Sequence, residues 1–292
     1  MRALVVLSLG LAALSAACAG KADQREFTLQ GQVMSVTPNH DQATVNHEEI
    51  KGFMTAMTMP YKVHDPKQLD GIAPGDLINA KLVVLPSDAY LTDVKKVGQA
   101  PLPAAPAETA AAPTASSGFE LLKPGEPVPD ASFVDQGGRK RTFSSFKGSP
   151  VLMTFIYTKC PMPTFCPLMD QHFATIQKKL KDDPALKGRV HLVSVSFDPI
   201  VDTPPVLKAH AQTLGADLKT WTFLTGDRDD IDRFAARFGV SVARSLTDQR
   251  DITHNLRTAL VDPGGKLVKV YIGNEWTPDQ ALADVKPVVG AN

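Results

Sequence analysis

The chain has 292 residues, 31 Lys and Arg against 31 Asp and Glu, and a hydrophobic share of 43%. That is enough apolar material for about two domains with ordinary cores, and it excludes a disordered chain. Zero net charge without a long basic run argues against nucleic acid as the main partner. The opening stretch, MRALVVLSLGLAALSAACAG, sets Arg2 before an apolar run that ends in small residues ahead of Cys18. This is the layout of an export signal. Cleavage after Ala17 or Ala19 is one alternative; an uncleaved anchor is another, although the run is short of the ~20 residues that span a bilayer.

The same stretch resembles a bacterial lipoprotein signal, in which the cysteine becomes the lipidated first residue. Ser15 stands three places before Cys18, and Leu14 sits one place further back than the usual leucine. The resemblance implies that residues 1–18 are a signal with its lipidation site, and that the mature protein is periplasmic and tethered to a membrane through Cys18. A soluble periplasmic protein is the alternative.

From residue 27 to 98 the pattern is of short strands, FTLQGQVMSV, ATVNH, MTAMTMPYKV, LINAKLVVL and YLTDVKKV, split by the turn-forming groups PNHD, GIAPGD and PSD. Such spacing predicts a small antiparallel sheet or barrel. About seventy residues make a marginal core, which a bound metal would help to stabilise. Met54, Met57 and Met59 bring three of the chain's 8 methionines together just after His47. Residues two apart on a strand share a face, so Met57 and Met59 project together, and His47 on the preceding strand can face them. Thioethers are soft donors that select Cu(I) or Ag(I) over Zn(II), and a neutral imidazole completes such a site. A methionine stripe is usually core filler. Thr55, Thr58 and His47 are odd lining for a purely apolar interior.

The segment HEEIKGFMTAMTMPYKV resembles the Cu(I)-binding motif of CusF-like periplasmic copper chaperones, which are five-stranded barrels of the OB type. The resemblance implies His47, Met57 and Met59 as ligands. Met54 stands where those proteins have a covering tryptophan, which makes it a candidate third thioether.

Residues 99–118, QAPLPAAPAETAAAPTASSG, hold almost nothing that builds a core and several prolines. They read as an extended linker between two domains.

Residues 119–292 follow a different pattern. ASFVDQGGRKRTFSSF predicts a hairpin around Gly137 and Gly138. In PVLMTFIYTKCPMPTFCPLM, an unbroken apolar run predicts a strand covered on both faces, leading into a loop with Cys160 and Cys166. A helix from about Pro167 to Lys181 places Met169, Phe173, Ile176 and Leu180 on one face. Then come the buried strand VHLVSVSF, ending at Asp198, a helix begun by Thr203 and Pro204, the short strand WTFLT, and a third helix in DDIDRFAARFGV. RTALVD and KLVKVYIG flank a turn at Pro263 to Gly265. Strands and helices in that order describe an α/β thioredoxin-like sandwich.

Reactive groups in open α/β sheets collect at the carboxyl edge, and a thiol at a helix start is favoured as thiolate. The mature chain has almost no other cysteine, so Cys160 and Cys166 read as a functional pair rather than a disulfide framework. His254, expected in the loop before RTALVD, packs beside the cysteine loop in a thioredoxin-like topology. Two thiolates and an imidazole make a soft site for Cu(I), able to hold Cu(II) when the geometry permits. An exposed loop histidine is an equal reading of that residue. His40, His64, His172, His191 and His210 lack soft partners and read as surface or packing residues.

The cysteine loop, DPIVDTPPVLKAHA, WTFLTGD and THNLRTALVDPGG together resemble successive blocks of the Sco/SenC family. That resemblance implies copper bound by Cys160, Cys166 and His254, with Asp198 in an acidic position behind them. It also implies delivery to the binuclear copper subunit of cytochrome c oxidase. The family usually places three residues between its cysteines, whereas this chain places five, Pro161 to Phe165, so Met162 and Met169 are further thioethers near the loop. The leading reading is a copper metallochaperone. Its alternatives are a thiol-disulfide oxidoreductase with Cys160 and Cys166 as catalytic redox pair, a copper-resistance protein and, lower, a peroxiredoxin-type peroxidase.

Overall fold

The computed structural model describes residues 24–102, 120–244 and 252–290; Cys18, the signal region and most of the expected linker lie outside them. The first part is all β: β1 (Arg25–Val36), β2 (Gln42–His47), β3 (Met57–Val63), β4 (Asp76–Val84) and β5 (Ala89–Gln99). They close into a ring of five strands in the order β1-β2-β3-β5-β4. Closure depends on the length of β1, whose first part pairs with β4 from Arg25 to Gln32 while its second pairs with β2 from Gly31 onward. The irregular register at Val33 to Ser35 lets it bend between the two partners. Alternation along β2 and β3 puts Ala43, Val45 and His47 on the same inner face as Met59, Tyr61 and Val63.

Gly31 lies opposite His47 in this ring, and a Cβ at that glycine would stand 2.6 Å from the Asn46 carbonyl and 2.7 Å from His47 Cα. Only glycine allows so close a crossing. The strand expected over MTAMTMPYKV begins at Met57 rather than Met54, because Met54 is held in a turn by a bridge to Ile50.

The second part contains β6 (Ser132–Asp135), β7 (Lys140–Thr142), β8 (Val151–Ile156), α1 (Cys166–Asp182), β9 (His191–Ser196), α2 (Pro204–Thr213), β10 (Trp221–Thr225), α3 (Arg228–Ala236), β11 (Val242–Arg244), β12 (Ile252–His254), β13 (Arg257–Val261), β14 (Leu267–Ile272) and α4 (Pro278–Val289). Seven strands form one sheet in the order β14-β13-β8-β9-β10-β6-β7, with β8, β9 and β10 parallel. Every residue of β8 is buried, as its unbroken apolar run requires of a central strand. On one face Thr154 meets Thr258, whose hydroxyl also reaches Met169 of α1. On the other face Phe155 packs against Phe234 of α3 and Phe238. Helices thus cover both sides of the sheet. The expected closing hairpin, β13 and β14, is followed by a helix the pattern reading missed, α4, which starts with a capping box between Thr277 and Gln280.

Candidate functional site

Cys160 and Cys166 emerge where the central strand β8 ends, at the carboxyl edge of the parallel strands, where α/β sheets expose reactive groups. Cys166 is the first residue of α1 and Cys160 lies in the loop before it. The loop is tied at both ends. Thr158 donates its backbone N–H to Asp202 at 3.0 Å, and the amide of Asn274 donates to the Thr164 carbonyl at 2.7 Å. Asp202, fully buried, also accepts from the Ser196 hydroxyl, so it anchors the loop to the end of β9.

His254 ends β12, a short strand paired with β11, and not the open loop expected from the sequence. Arg244 of β11 donates to the Phe197 carbonyl and pairs with Asp232, which fastens this ribbon to the sheet. The imidazole is boxed by Tyr157 edge-on at 5.6 Å and by Phe197 at 4.5 Å between ring centroids. Its Nδ1 donates to the Asn255 carbonyl at 2.9 Å, a bond that requires the proton on Nδ1, so Nε2 is the nitrogen turned toward the cysteines. Cys166 Sγ lies 3.6 Å from that Nε2, and the ligand atoms of Cys160, Cys166 and His254 all fall within 4.8 Å of one another.

The two thiols are unequal. The hydrogen bond offered by Cys166, and then the His254 ring, hold Cys160 well below the usual thiol range, although burial opposes them. Burial, reinforced by Cys160, pushes Cys166 well above that range. Cys166 is 1% exposed and Cys160 is only half-buried, so desolvation outweighs the favourable helix end at Cys166. Two thiolates, or one thiolate with one thiol, beside an imidazole nitrogen suit a soft monovalent ion of low coordination number.

In the ring, His47 stands opposite Met57, with Met59 next along the same face. His47 is 1% exposed, donates Nδ1–H to the Glu48 carbonyl at 2.7 Å, and buries an Nε2 with no hydrogen-bond partner. Burial lowers its basicity, which keeps the ring neutral. An orphaned lone pair on a buried imidazole beside thioethers fits a soft metal ion and has no other evident use. Met54, off the strand, is held by the Tyr61 hydroxyl, which donates to its Sδ at 3.6 Å.

The remaining expectations divide. Met169 is fully buried between α1 and the sheet and serves packing. Asp198 is 2% exposed and accepts from the Val201 amide, with no described bond to either cysteine or to His254. Sequence reasoning missed Asp202, Asn274 and the 2.9 Å pair between Asp170, on α1 just after Cys166, and His210 on α2. No local pattern marks these residues, because their partners are distant in sequence. Among the described residues no helix is long and apolar enough to cross a membrane.

Residues 125–290 match the family model described as SCO1/SenC, and residues 26–96 match that described as copper binding periplasmic protein CusF. A SCO1 protein homolog of Bacillus subtilis is 36% identical over 157 residues, which span 53% of this chain and 79% of that protein. A putative copper-binding protein of Stutzerimonas stutzeri is 27% identical over 152 residues, 50% of this chain and 70% of the other. Among solved structures, a SCO1/SenC family lipoprotein from Bacillus anthracis superposes with a TM-score of 0.51 at 30% identity, covering 57% of this chain and 98% of that one. BsSco, described as a member of the Sco family of cytochrome c oxidase assembly proteins with a disulfide switch, gives 0.50 at 34% identity, covering 60% of this chain and 100% of its own. The chain therefore belongs to the SCO1/SenC family, and carries a CusF-like segment ahead of its thioredoxin-like domain.

Proposed function

We propose that this protein is a copper metallochaperone that takes up Cu(I) at His47, Met57 and Met59, with Met54 as a further thioether, and holds it for delivery at Cys160, Cys166 and His254. The observation that carries the reading is the convergence of Cys160, Cys166 and His254 within 4.8 Å, with Nε2 of the histidine turned toward Cys166 Sγ at 3.6 Å. Soft donors of that kind hold Cu(I), and can hold Cu(II) when the geometry permits. Asp198 follows Phe197, whose ring packs on His254, and acts through that turn to position the imidazole. The ring order β1-β2-β3-β5-β4 supports an OB-type barrel over residues 27–98, joined by the linker 99–118 to the Sco domain over 119–292.

The CusF and lipoprotein relatives support a periplasmic protein, tethered through Cys18. The recipient on this reading is a copper subunit of cytochrome c oxidase, in line with the family description given for BsSco. The test is copper content per molecule after Cu(I) exposure of the full chain, of Cys160→Ser/Cys166→Ser and of Met57→Leu/Met59→Leu. Two equivalents are expected in the first and one in each variant. No copper in any of the three overturns the reading.

The unequal thiols support a second reading, a thiol-disulfide oxidoreductase. Cys160 thiolate attacks a target disulfide and releases one target thiolate. Cys166 then resolves the mixed disulfide, leaving Cys160–Cys166 oxidised and the target dithiol reduced. Reduction of one disulfide per molecule by the reduced, metal-free chain, lost in Cys160→Ser, distinguishes it.

A further inference from the structure

Met162 belongs by sequence to the cysteine loop of the second domain, yet its side chain is 3% exposed inside the apolar cluster of the ring, with Met59 and Tyr61. Cys160 and Phe165, its neighbours on the loop, pack against both that cluster and the core of the α/β domain. A single cavity of about 270 Å³ is lined by Met54, Met57 and Met59 from the ring and by Cys160, Met162 and His254 from the other domain. The two groups of soft donors therefore open onto one shared space, and the thioether of Met162 lies on the ring's side of it. The Cys160 thiol lies 3.8 Å from the Met162 carbonyl, so the loop turns tightly between these two residues, and both line the cavity.

A side chain that only filled a gap there need not be a donor; leucine fills the same volume. In a space that the ring's thioethers share with Cys160 and His254, the sulfur gives Met162 a second capability, since a thioether binds Cu(I) without carrying charge or needing deprotonation. Loop length makes the placement possible. With five residues between the cysteines, Pro161 and Met162 reach out to the ring while Cys166 stays at the head of α1.

We propose that Met162 is a shared copper ligand: it joins Cu(I) held by Met57 and Met59 and passes the ion to Cys160. This rests on the metallochaperone reading above. Copper stays Cu(I) throughout. One Cu–thioether bond to the ring is exchanged for the bond to Met162. A bond to Cys160 Sγ then replaces a remaining thioether, and any thiol that becomes a ligand releases its proton to solvent. A path made of successive single exchanges never leaves the ion without soft donors.

The test uses the full chain in two measurements. In the first, one equivalent of Cu(I) is supplied and its arrival at the thiols is followed by the ultraviolet charge-transfer absorption of Cu(I)–thiolate. Met162→Leu should reach the same final absorption, but on the order of tenfold more slowly, the effect of a barrier raised by the loss of one bond. The second needs no change at Met162. In Cys160→Ser/Cys166→Ser labelled with ¹³C-methyl methionine, substoichiometric Ag(I) should shift the methyl resonance of Met162 together with those of Met57 and Met59. Transfer in Met162→Leu at the wild-type rate, or a Met162 methyl that stays fixed while Met57 and Met59 move, overturns the relay and leaves the two copper sites standing. Silence at Met57 and Met59 as well removes the ring site, and the relay with it.

Discussion

His47 and His254, one in each domain, are locked in the same tautomer: each donates Nδ1–H to the carbonyl of the residue that follows it, Glu48 at 2.7 Å and Asn255 at 2.9 Å. A carbonyl cannot donate, so in both rings the proton on Nδ1 is fixed and Nε2 is the nitrogen that offers its lone pair when the ring is neutral, already aimed before a metal arrives. At His47 that lone pair stands with thioethers, and at His254 with thiols. His47→Ala should therefore lower the affinity of the ring for Cu(I) with no comparable loss at the cysteines, as read by competition against a Cu(I) chelator. The ring should also prefer Cu(I) to Zn(II), since thioethers offer a harder ion little. Equal Zn(II) affinity at the ring would contradict the soft-site reading.

At the second site a low-coordinate ion draws a large share of its bonding from each donor. Cys160→Ser, Cys166→Ser and His254→Ala should each cost more than the ~10–100-fold in affinity that follows loss of an outer hydrogen-bond partner. Oxidation of the cysteine pair to a disulfide should abolish binding there, because no thiolate remains to donate. Retention of copper by the oxidised protein in Met57→Leu/Met59→Leu, where the ring is disabled, is the outcome this cannot survive.

Gly31→Ala tests whether the ring site depends on the backbone crossing at His47. The new Cβ would stand 2.6 Å from the Asn46 carbonyl, and backbone there has no flexible end to yield. The ring should lose about 2 kcal/mol or more, in the range of substitutions that force strain into a packed site. Thermal unfolding should move the ring's transition down while copper uptake at Cys160, Cys166 and His254 is retained. An unchanged transition would show that β1 and β2 separate freely at this point.

The strand bearing the cysteines was legible because β8 is buried on both faces, which leaves an unbroken apolar run, and the ring strands because they alternate along a single inner face. His47 and Met57 were legible as partners because strand alternation fixes which residues share a face. Three features were hidden. Met54 lies in a turn fixed by Ile50, although its residues alternate like a strand. The last helix, α4, carries Pro287 within it, which breaks the pattern expected of a helix even though Thr277 and Gln280 mark its start. Met162 in the ring's core is a contact between segments about a hundred residues apart, and no local periodicity encodes such a contact.

Burial also sets a pH dependence away from the proposed copper sites. His191, at the start of β9, bonds Thr222 at 2.9 Å and packs on Phe146, and burial, with a smaller push from Arg141, lowers its pKa to about 4 from an ordinary 6.5. The folded state therefore favours the neutral ring, while the unfolded chain takes up a proton below about pH 6.5. This contribution is fully present above that pH and is lost as pH falls toward about 4, at roughly 1.4 kcal/mol per pH unit. Denaturant unfolding should show about 2 kcal/mol less stability at pH 5 than at pH 6.5 from this group. His191→Gln should flatten that difference. A variant that keeps the full slope would place its origin in another group.

The last prediction concerns the join between the domains. Two thiolates hold Cu(I) more firmly than neutral thioethers, so the downhill direction runs from His47, Met57 and Met59 to Cys160, Cys166 and His254. Acidification protonates the thiols and should weaken that gradient. A coil of about twenty residues, the length of the expected linker 99–118, would have a typical end-to-end distance of roughly 25 Å, from about 5–6 Å times the square root of length, and full proline-type extension about 60 Å. Such a tether gives an effective concentration on the order of millimolar, well above micromolar protein in solution. In the intact chain, then, transfer from a ring loaded with Cu(I) should be first-order and independent of protein concentration. After cleavage at a protease site placed in the linker, with sedimentation showing that the halves separate, it should become slower and concentration-dependent. An unchanged rate from separated halves at micromolar protein would mean that copper passes between molecules, and the shared cavity would then have no part in the transfer.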